Sequence, residues 1–267
     1  MIGYISYFKR ELISGLQYRK AAIAGLTTQV FWAFLYIMIY IAFFNSSSTN
    51  VGINLSQLVT YTWLNQAFYA LIYLKVKDPE IMKSIKNGTV AYELCRPYDI
   101  YNWWYIKLLS KKYASVILRF LPIIILGFIV PKSIRLSLPL SFTHFILFLI
   151  SLILGAFIVI SLAMIVQIVS FYTNQDSGIS SMVMAIGGFF AGYAFPLPLM
   201  PNIVQHIGKY LPFGLVSDFS FRVYSGNISI NKSISLILLQ LTWIIVLTTI
   251  GKIAMKRSLK KVFIQGG

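Results

Sequence analysis

The stretch LPLSFTHFILFLISLILGAFIVISLAMIVQIVSF, residues 138–171, contains no Asp, Glu, Lys or Arg, and it decides the fold class. A helix rises about 1.5 Å per residue and satisfies its own backbone hydrogen bonds, so about 20 apolar residues cross a hydrocarbon core ~30 Å thick. A stretch this long is either one tilted helix that projects into the cytoplasm or a pair broken near Gly155. Five other stretches also qualify, at 21–44, 55–74, 108–130, 178–195 and 234–254. Splitting 138–171 would give seven crossings and move the basic C-terminal end outside, so the expectation is six.

Composition supports this reading. Hydrophobic residues make up 58% of the 267 residues and charged ones 11%, against roughly 25% charged in a soluble domain. A water-soluble core of this length cannot bury that excess. The 23 Lys and Arg against 7 Asp and Glu give a net charge of +16, a balance that suits nucleic acid only when the basic residues interleave a soluble fold. Here they cluster between apolar runs, so no nucleic-acid partner is expected. Of these residues, 17 lie in the N-terminal segment, the 75–107 region with its continuation to Lys112, and the C-terminal end. Only Lys132, Arg135, Lys209, Arg222 and Lys232 fall on the other side, with Arg119 inside the third crossing. Because basic residues are retained in the cytoplasm, both termini are expected there, in the cytoplasmic membrane of a bacterium. Arg19 and Lys20 interrupt the N-terminal apolar pattern, which argues against a cleavable signal. One cysteine, Cys95, and two histidines, His144 and His206, supply no multi-cysteine metal site and no local zinc motif.

The chain thus reads as a single all-α polytopic membrane domain over 1–267, with four segments outside the crossings. Residues 1–20 place Ile2, Ile5, Phe8, Leu12, Ile13 and Leu16 on one helical face opposite Arg10, Ser14 and Gln17, an interfacial helix that serves as a force-transmitting elbow or as a passive anchor. Residues 75–107 form a charged cytoplasmic loop with apolar anchors at Ile81, Ile85, Val90 and Leu94. Its pattern gives a short helix from 79 to 87, a stop at Gly88 and a second element halted by Pro97. Such a helix either docks in a groove on a partner or lies on the bilayer. Residues 195–233 carry Pro196, Pro198, Pro201 and Pro212 among apolar residues, so they enter the membrane without crossing it and require cover from protein. They read as an extracellular gate, with Pro196, Pro201 and Pro212 at its bends, or as an interfacial cap. Residues 255–267 form a basic cytoplasmic tail.

Polar residues within crossings are few: Asn65 and Gln66 in the second, Arg119 in the third, Gln167 in the fourth and Gln240 in the sixth. They are candidates for the transport pathway or for interhelical hydrogen bonds. Asp218 and Arg222, four apart, are expected to pair on an outer helix for a few tenths of a kcal/mol.

The segment GTVAYELCRPYD, residues 88–99, resembles the loop of type-2 ABC exporter permeases, where a Gly precedes a Leu-x-Arg-Pro element just before the third crossing. FPLPLMPNIVQHIGKYLPF, 195–213, resembles that family's extracellular re-entrant region, and KRSLKKVFIQGG, 256–267, its basic tail with paired glycines. The resemblance covers nearly the whole chain. It implies a permease that pairs with itself or a sister permease and sits on two copies of a separate ATPase subunit, which binds the ATP and Mg. It further implies that the loop between crossings two and three is the coupling helix, with Ile85, Gly88, Glu93, Leu94, Arg96 and Pro97 at or near the ATPase. The chain itself has no Gly-x-x-x-x-Gly-Lys-Ser/Thr phosphate loop and therefore no cofactor or ATP site of its own.

Three functional classes follow. An ABC exporter permease moving a drug, peptide or lipid outward accounts for the loop, the outer segment and the lack of an engine. An ion-gradient-driven secondary transporter or channel calls for carboxylates within the membrane, and only Asp176 approaches a crossing. A membrane-embedded enzyme calls for a nucleophile with its base or a metal cluster at depth, and neither pattern is present in the sequence.

Overall fold

The computed structural model describes residues 2–17, 19–46, 52–75, 77–169 and 177–260. Its elements are α1 (Ile2–Leu16), α2 (Arg19–Ser46), α3 (Leu55–Ile72), α4 (Pro79–Lys86), α5 (Val90–Leu94), α6 (Ile100–Ile117), α7 (Phe120–Ile129), α8 (Phe142–Val169), α9 (Ser177–Phe190), α10 (Asn202–Gly208), α11 (Asp218–Tyr224) and α12 (Ile230–Leu259). Short 3-10 turns cover Lys132–Ile134 and Leu197–Leu199. No strand occurs among the described residues.

Four helical stretches have the length and apolarity to cross a membrane alone: Ala22–Ser46, Ile100–Ile129, Phe142–Val169 and Ile230–Leu259. The expected fourth crossing is one unbroken helix through Gly155, since nothing in α8 removes a backbone donor. Gly155 answers a packing need instead, because a β-carbon there would collide with the Val216 carbonyl. The third crossing differs from expectation at both ends. It starts at Ile100 rather than 108, because the Asp99 side chain accepts the Asn102 amide at 2.7 Å and caps the helix there. It also breaks at Leu118 and Arg119, where Pro122 in the first turn of α7 can neither donate to residue 118 nor make room for its carbonyl. The sixth crossing is longer than 234–254, running from Ile230 to Leu259 and taking in the start of the basic tail. Residues 170–176 and those beyond 260 lie outside the described residues.

α3 forms the centre. Twelve of its eighteen residues are buried, and it packs on α2, α6, α7, α8 and α11. A reciprocal cap starts it: the Gln57 amide donates to Asn54 Oδ1 at 2.8 Å, and the Asn54 amide to Gln57 Oε1 at 3.2 Å. Trp63, fully buried, donates through Nε1 to the Ile134 carbonyl at 2.8 Å and meets Phe34 edge-on. α8 and α12 share the most extensive helix–helix contact, and α1 lies along α6. Two main apolar cores result, beside a third, minor cluster of Tyr40, Ile53 and Leu58. The larger surrounds α3, α8 and α11; the smaller joins Ile81, Val90, Tyr101 and Trp104 to Met164 and Ile168 of α8 and Met255 of α12.

Candidate functional site: a coupling element and a broken outer segment

The charged loop between α3 and α6 is a built element. Asp78 accepts the Glu80 and Ile81 amides at 3.0 and 3.1 Å, and Pro79 follows at the first helical position, where its missing donor costs nothing. α4 stops at Asn87, and Gly88 turns the chain at φ +68°, a left-handed conformation in which a side chain is strained. Asp78 also takes Lys111 Nζ at 2.7 Å, and Glu80 takes Lys107 at 2.6 Å and Lys111 at 3.2 Å. Burial raises the Asp78 pKa, but the Lys111 hydrogen bond and charge, with the Ile81 amide, outweigh it and hold the carboxyl below the usual range. The Lys107 hydrogen bond does the same for Glu80. These pairs bind the start of α4 to α6.

The six expected coupling residues divide between two faces. Ile85 is half-buried against the smaller core, and Gly88 makes the turn. Glu93 turns inward, its Oε2 accepting Trp104 Nε1 at 2.6 Å, so it anchors α5 to α6. Leu94, Arg96 and Pro97 are exposed, beside Tyr92 at 75% exposure. The element therefore has an inner face packed on the start of α6 and the C-terminal parts of α8 and α12, and an exposed outer face. Trp103 is stacked between Tyr7 of α1, at 3.7 Å between ring centroids, and Tyr98, at 4.1 Å, so the N-terminal helix is joined to the same assembly.

At the other end the chain breaks after α9. α9 has only 14 residues rather than extending to 195, because Gly192 adopts φ +72° and ends it. Broken backbone at this depth needs partners, and neighbouring side chains supply them. The Ser217 hydroxyl donates to Ala191 at 2.6 Å, the Tyr61 hydroxyl to Gly192 at 2.9 Å, Asn65 Nδ2 to Tyr193 at 2.9 Å and the Tyr40 hydroxyl to Ala194 at 2.5 Å. The Tyr193 hydroxyl donates to Ile72 at 2.7 Å and accepts the Leu74 amide at 3.0 Å, which ties the break to the end of α3. Pro196 and Pro201 stand immediately before the 3-10 turn and α10, and Pro212 lies in the turns leading to α11.

α11 is not the surface helix that its charges suggested. Asp218 is 1% exposed, and its Oδ1 accepts the Leu197 amide at 2.9 Å while Oδ2 takes Arg222 Nη1 at 3.2 Å. Arg222 Nε also donates to Asn227 Oδ1 at 2.8 Å. The helix is inserted between α3 and α8 because Phe219, Phe221 and Val223 need apolar cover, and that insertion carries the ion pair inward.

The polar residues expected in the crossings are now placed. Asn65 holds the break after α9. Gln240, fully buried, donates through Nε2 to Ser151 at 2.9 Å and Leu215 at 2.7 Å, and so holds the turn before α11. Gln66 is buried within α3, Gln167 Nε2 reaches the Ala163 carbonyl of its own helix at 3.4 Å, and the Arg119 guanidinium abuts Gly25 of α2. Sequence reasoning missed Tyr40, Tyr61, Tyr193 and Trp104. Tyrosine and tryptophan look apolar in a hydropathy count, and only their position shows that the polar end is in use.

A cavity of about 690 Å³ opens among α1, α2, α3, α4, α6 and α8. Its wall includes Lys75, Lys77, Lys111, Lys112 and Arg119, with Glu11, Asp78 and Glu80, and apolar Ala22, Ala70 and Leu118.

Four long apolar helices joined by a charged, partly exposed loop define, as a class, a multi-pass membrane protein. The chain belongs to the ABC-2 transporter family: the family model described as ABC-2 family transporter protein matches residues 30–266. Membership makes it the membrane subunit of an ABC transporter that works with an ATPase partner. A search of curated proteins finds no match.

Proposed function

We propose that this chain is the transmembrane permease of an ABC exporter, moving an amphipathic or hydrophobic solute outward with ATP hydrolysed on a separate subunit. The observation that carries the reading is the two-faced coupling element. Tyr92, Leu94, Arg96 and Pro97 present a surface to a cytoplasmic partner, while Ile81, Val90 and the Glu93–Trp104 bond pass its movement to α6, α8 and α12. A movement driven by ATP then biases one arrangement of the long helices over another.

In this reading α3 and α9 complete six crossings, α9 with the help of the segment held after it. α1 is the elbow, residues 195–233 are the outer gate region, and both termini are cytoplasmic. Two ATPase subunits serve a pair of permeases, either two copies of this chain or this chain and a sister. The ion-gradient alternative would assign the ion to Asp218, the acid buried beside the break. Its two oxygens are already engaged by Leu197 and Arg222, which makes it a structural group.

The test is capture. A tagged chain, expressed with the products of its neighbouring reading frames, should retain an ATPase, and a cysteine at Tyr92 or Arg96 should crosslink to it. Purification without an ATPase, together with efflux that survives disruption of residues 88–97, refutes the proposal.

A further inference from the structure

Each carboxylate lining the cytoplasmic cavity already holds a cation. Asp78 and Glu80 take Lys111, Glu80 also takes Lys107, and Glu11 takes Arg10. Lys75 and Lys112 line the same cavity, and among the described residues neither reaches a carboxylate. Lys112 is half-buried, and its ammonium donates to the Tyr73 carbonyl at 2.7 Å and the Ala70 carbonyl at 3.5 Å. These bonds close the end of α3, as basic side chains do at helix C-termini, but they bring no carboxylate to the amine. A concave wall that carries two lysines without carboxylate partners attracts anions.

The surroundings of the cavity say which anion. Besides the exposed Lys75 its lining includes apolar Ala22, Ala70, Leu108 and Leu118, and α1 forms one side. α1 keeps Ile5 and Ile13 more than half exposed, as a helix does when it lies at the boundary of headgroups and acyl chains. The lysines then stand at the headgroup level of the cytoplasmic leaflet, where anionic lipids are available. The volume falls within the range of ordinary ligand sites.

We propose that this cavity binds the phosphate headgroup of an anionic phospholipid from the cytoplasmic leaflet, with Lys75 and Lys112 on the phosphate and the apolar lining residues beside the glycerol end. The site stands apart from the exposed face of the coupling element, so the proposal holds whether or not the transport reading does.

The test uses the full chain purified in mild detergent, with bound lipid measured by native mass spectrometry. Phosphatidylglycerol should be retained, and phosphatidylcholine with the same acyl chains should not. Lys75→Gln should lower the apparent affinity for phosphatidylglycerol roughly fivefold, the change expected for one basic residue at an anionic surface, and Lys75→Arg should restore it. Lys75 is exposed, so an unchanged melting profile separates a lost site from a lost fold. Lys112→Gln should weaken retention further. Glycerol 3-phosphate that displaces the lipid at equal concentration would overturn the lipid source and make a soluble phosphate ester the occupant. Equal retention of the two lipids, or affinity unchanged in Lys75→Gln, would overturn the site.

Discussion

Replacing Asp218 by alanine tests whether the outer segment is held by its buried ion pair. The carboxylate is 1% exposed, takes the Leu197 amide at 2.9 Å and Arg222 at 3.2 Å, and lies against the Tyr61 hydroxyl. Alanine removes these acceptors together. It leaves an arginine whose side chain is only 20% exposed with Asn227 in place of a counter-charge, and it leaves the Leu197 amide without its partner. Removing one member of a buried pair costs about 3–5 kcal/mol. At about 2–4 °C per kcal/mol for a chain of this size, the melting midpoint should fall by about 6–20 °C. The double variant Asp218→Ala/Arg222→Met takes away the stranded charge, and apolar replacement of a buried pair is near neutral, so it should be more stable than Asp218→Ala alone. Size-exclusion profiles after heating in detergent, at one fixed heating rate because unfolding is irreversible, measure both. A single variant within about 2 °C of the parent, or a double variant as unstable as the two singles summed, would refute the argument.

Other substitutions probe the remaining joints. Gly155→Ala should destabilise strongly, because the new methyl meets the Val216 backbone, which cannot rotate away, whereas Gly178→Ala meets nothing and should be neutral; the same heating assay separates them. Gly88→Ala, with open space around it, should cost only the left-handed strain, about 1 kcal/mol, and Gly88→Asn less. Trp104→Phe removes the donor to Glu93, so accessibility of the exposed Cys95 region to protease should rise, while Trp104→Tyr should not restore protection because its hydroxyl lies elsewhere. The Asp78 and Glu80 pKa values are depressed in the folded state, so their contribution is complete above the ordinary carboxylate pKa, about 4. It is lost as pH falls through the lower folded values. Cleavage near α4 should therefore increase only below about pH 4, and Asp78→Asn should show that increased cleavage at neutral pH.

The loop between α3 and α6 shows how far local signals reach. Asp78-Pro79, Gly88, Pro97 and Asp99 mark where α4 begins and stops and where α6 begins, because capping and left-handed turns depend on residues a few positions apart. The Asn54–Gln57 cap is of the same kind. Glu93 lies beyond the reach of local signals: the family resemblance implied a place at or near the ATPase, yet its bond runs to Trp104, eleven residues on and one helix away. The break at Leu118 and Arg119 was legible in Pro122, but the run of apolar residues around it concealed the signal.

By itself the sequence determined the solvent: apolar runs and clustered lysines place this chain in a membrane, since burial and charge retention follow from composition along the chain. Its motifs also carried the family resemblance that the match over residues 30–266 bears out. The tertiary structure alone decided what the polar residues do. Asn65, Gln240, Tyr61 and Asp218 are scattered from position 61 to 240, yet they converge on the backbone between α9 and α11. The reason is physical: an interrupted backbone in a low-dielectric setting must find donors and acceptors wherever packing brings them, and proximity in space is not written in spacing along the chain.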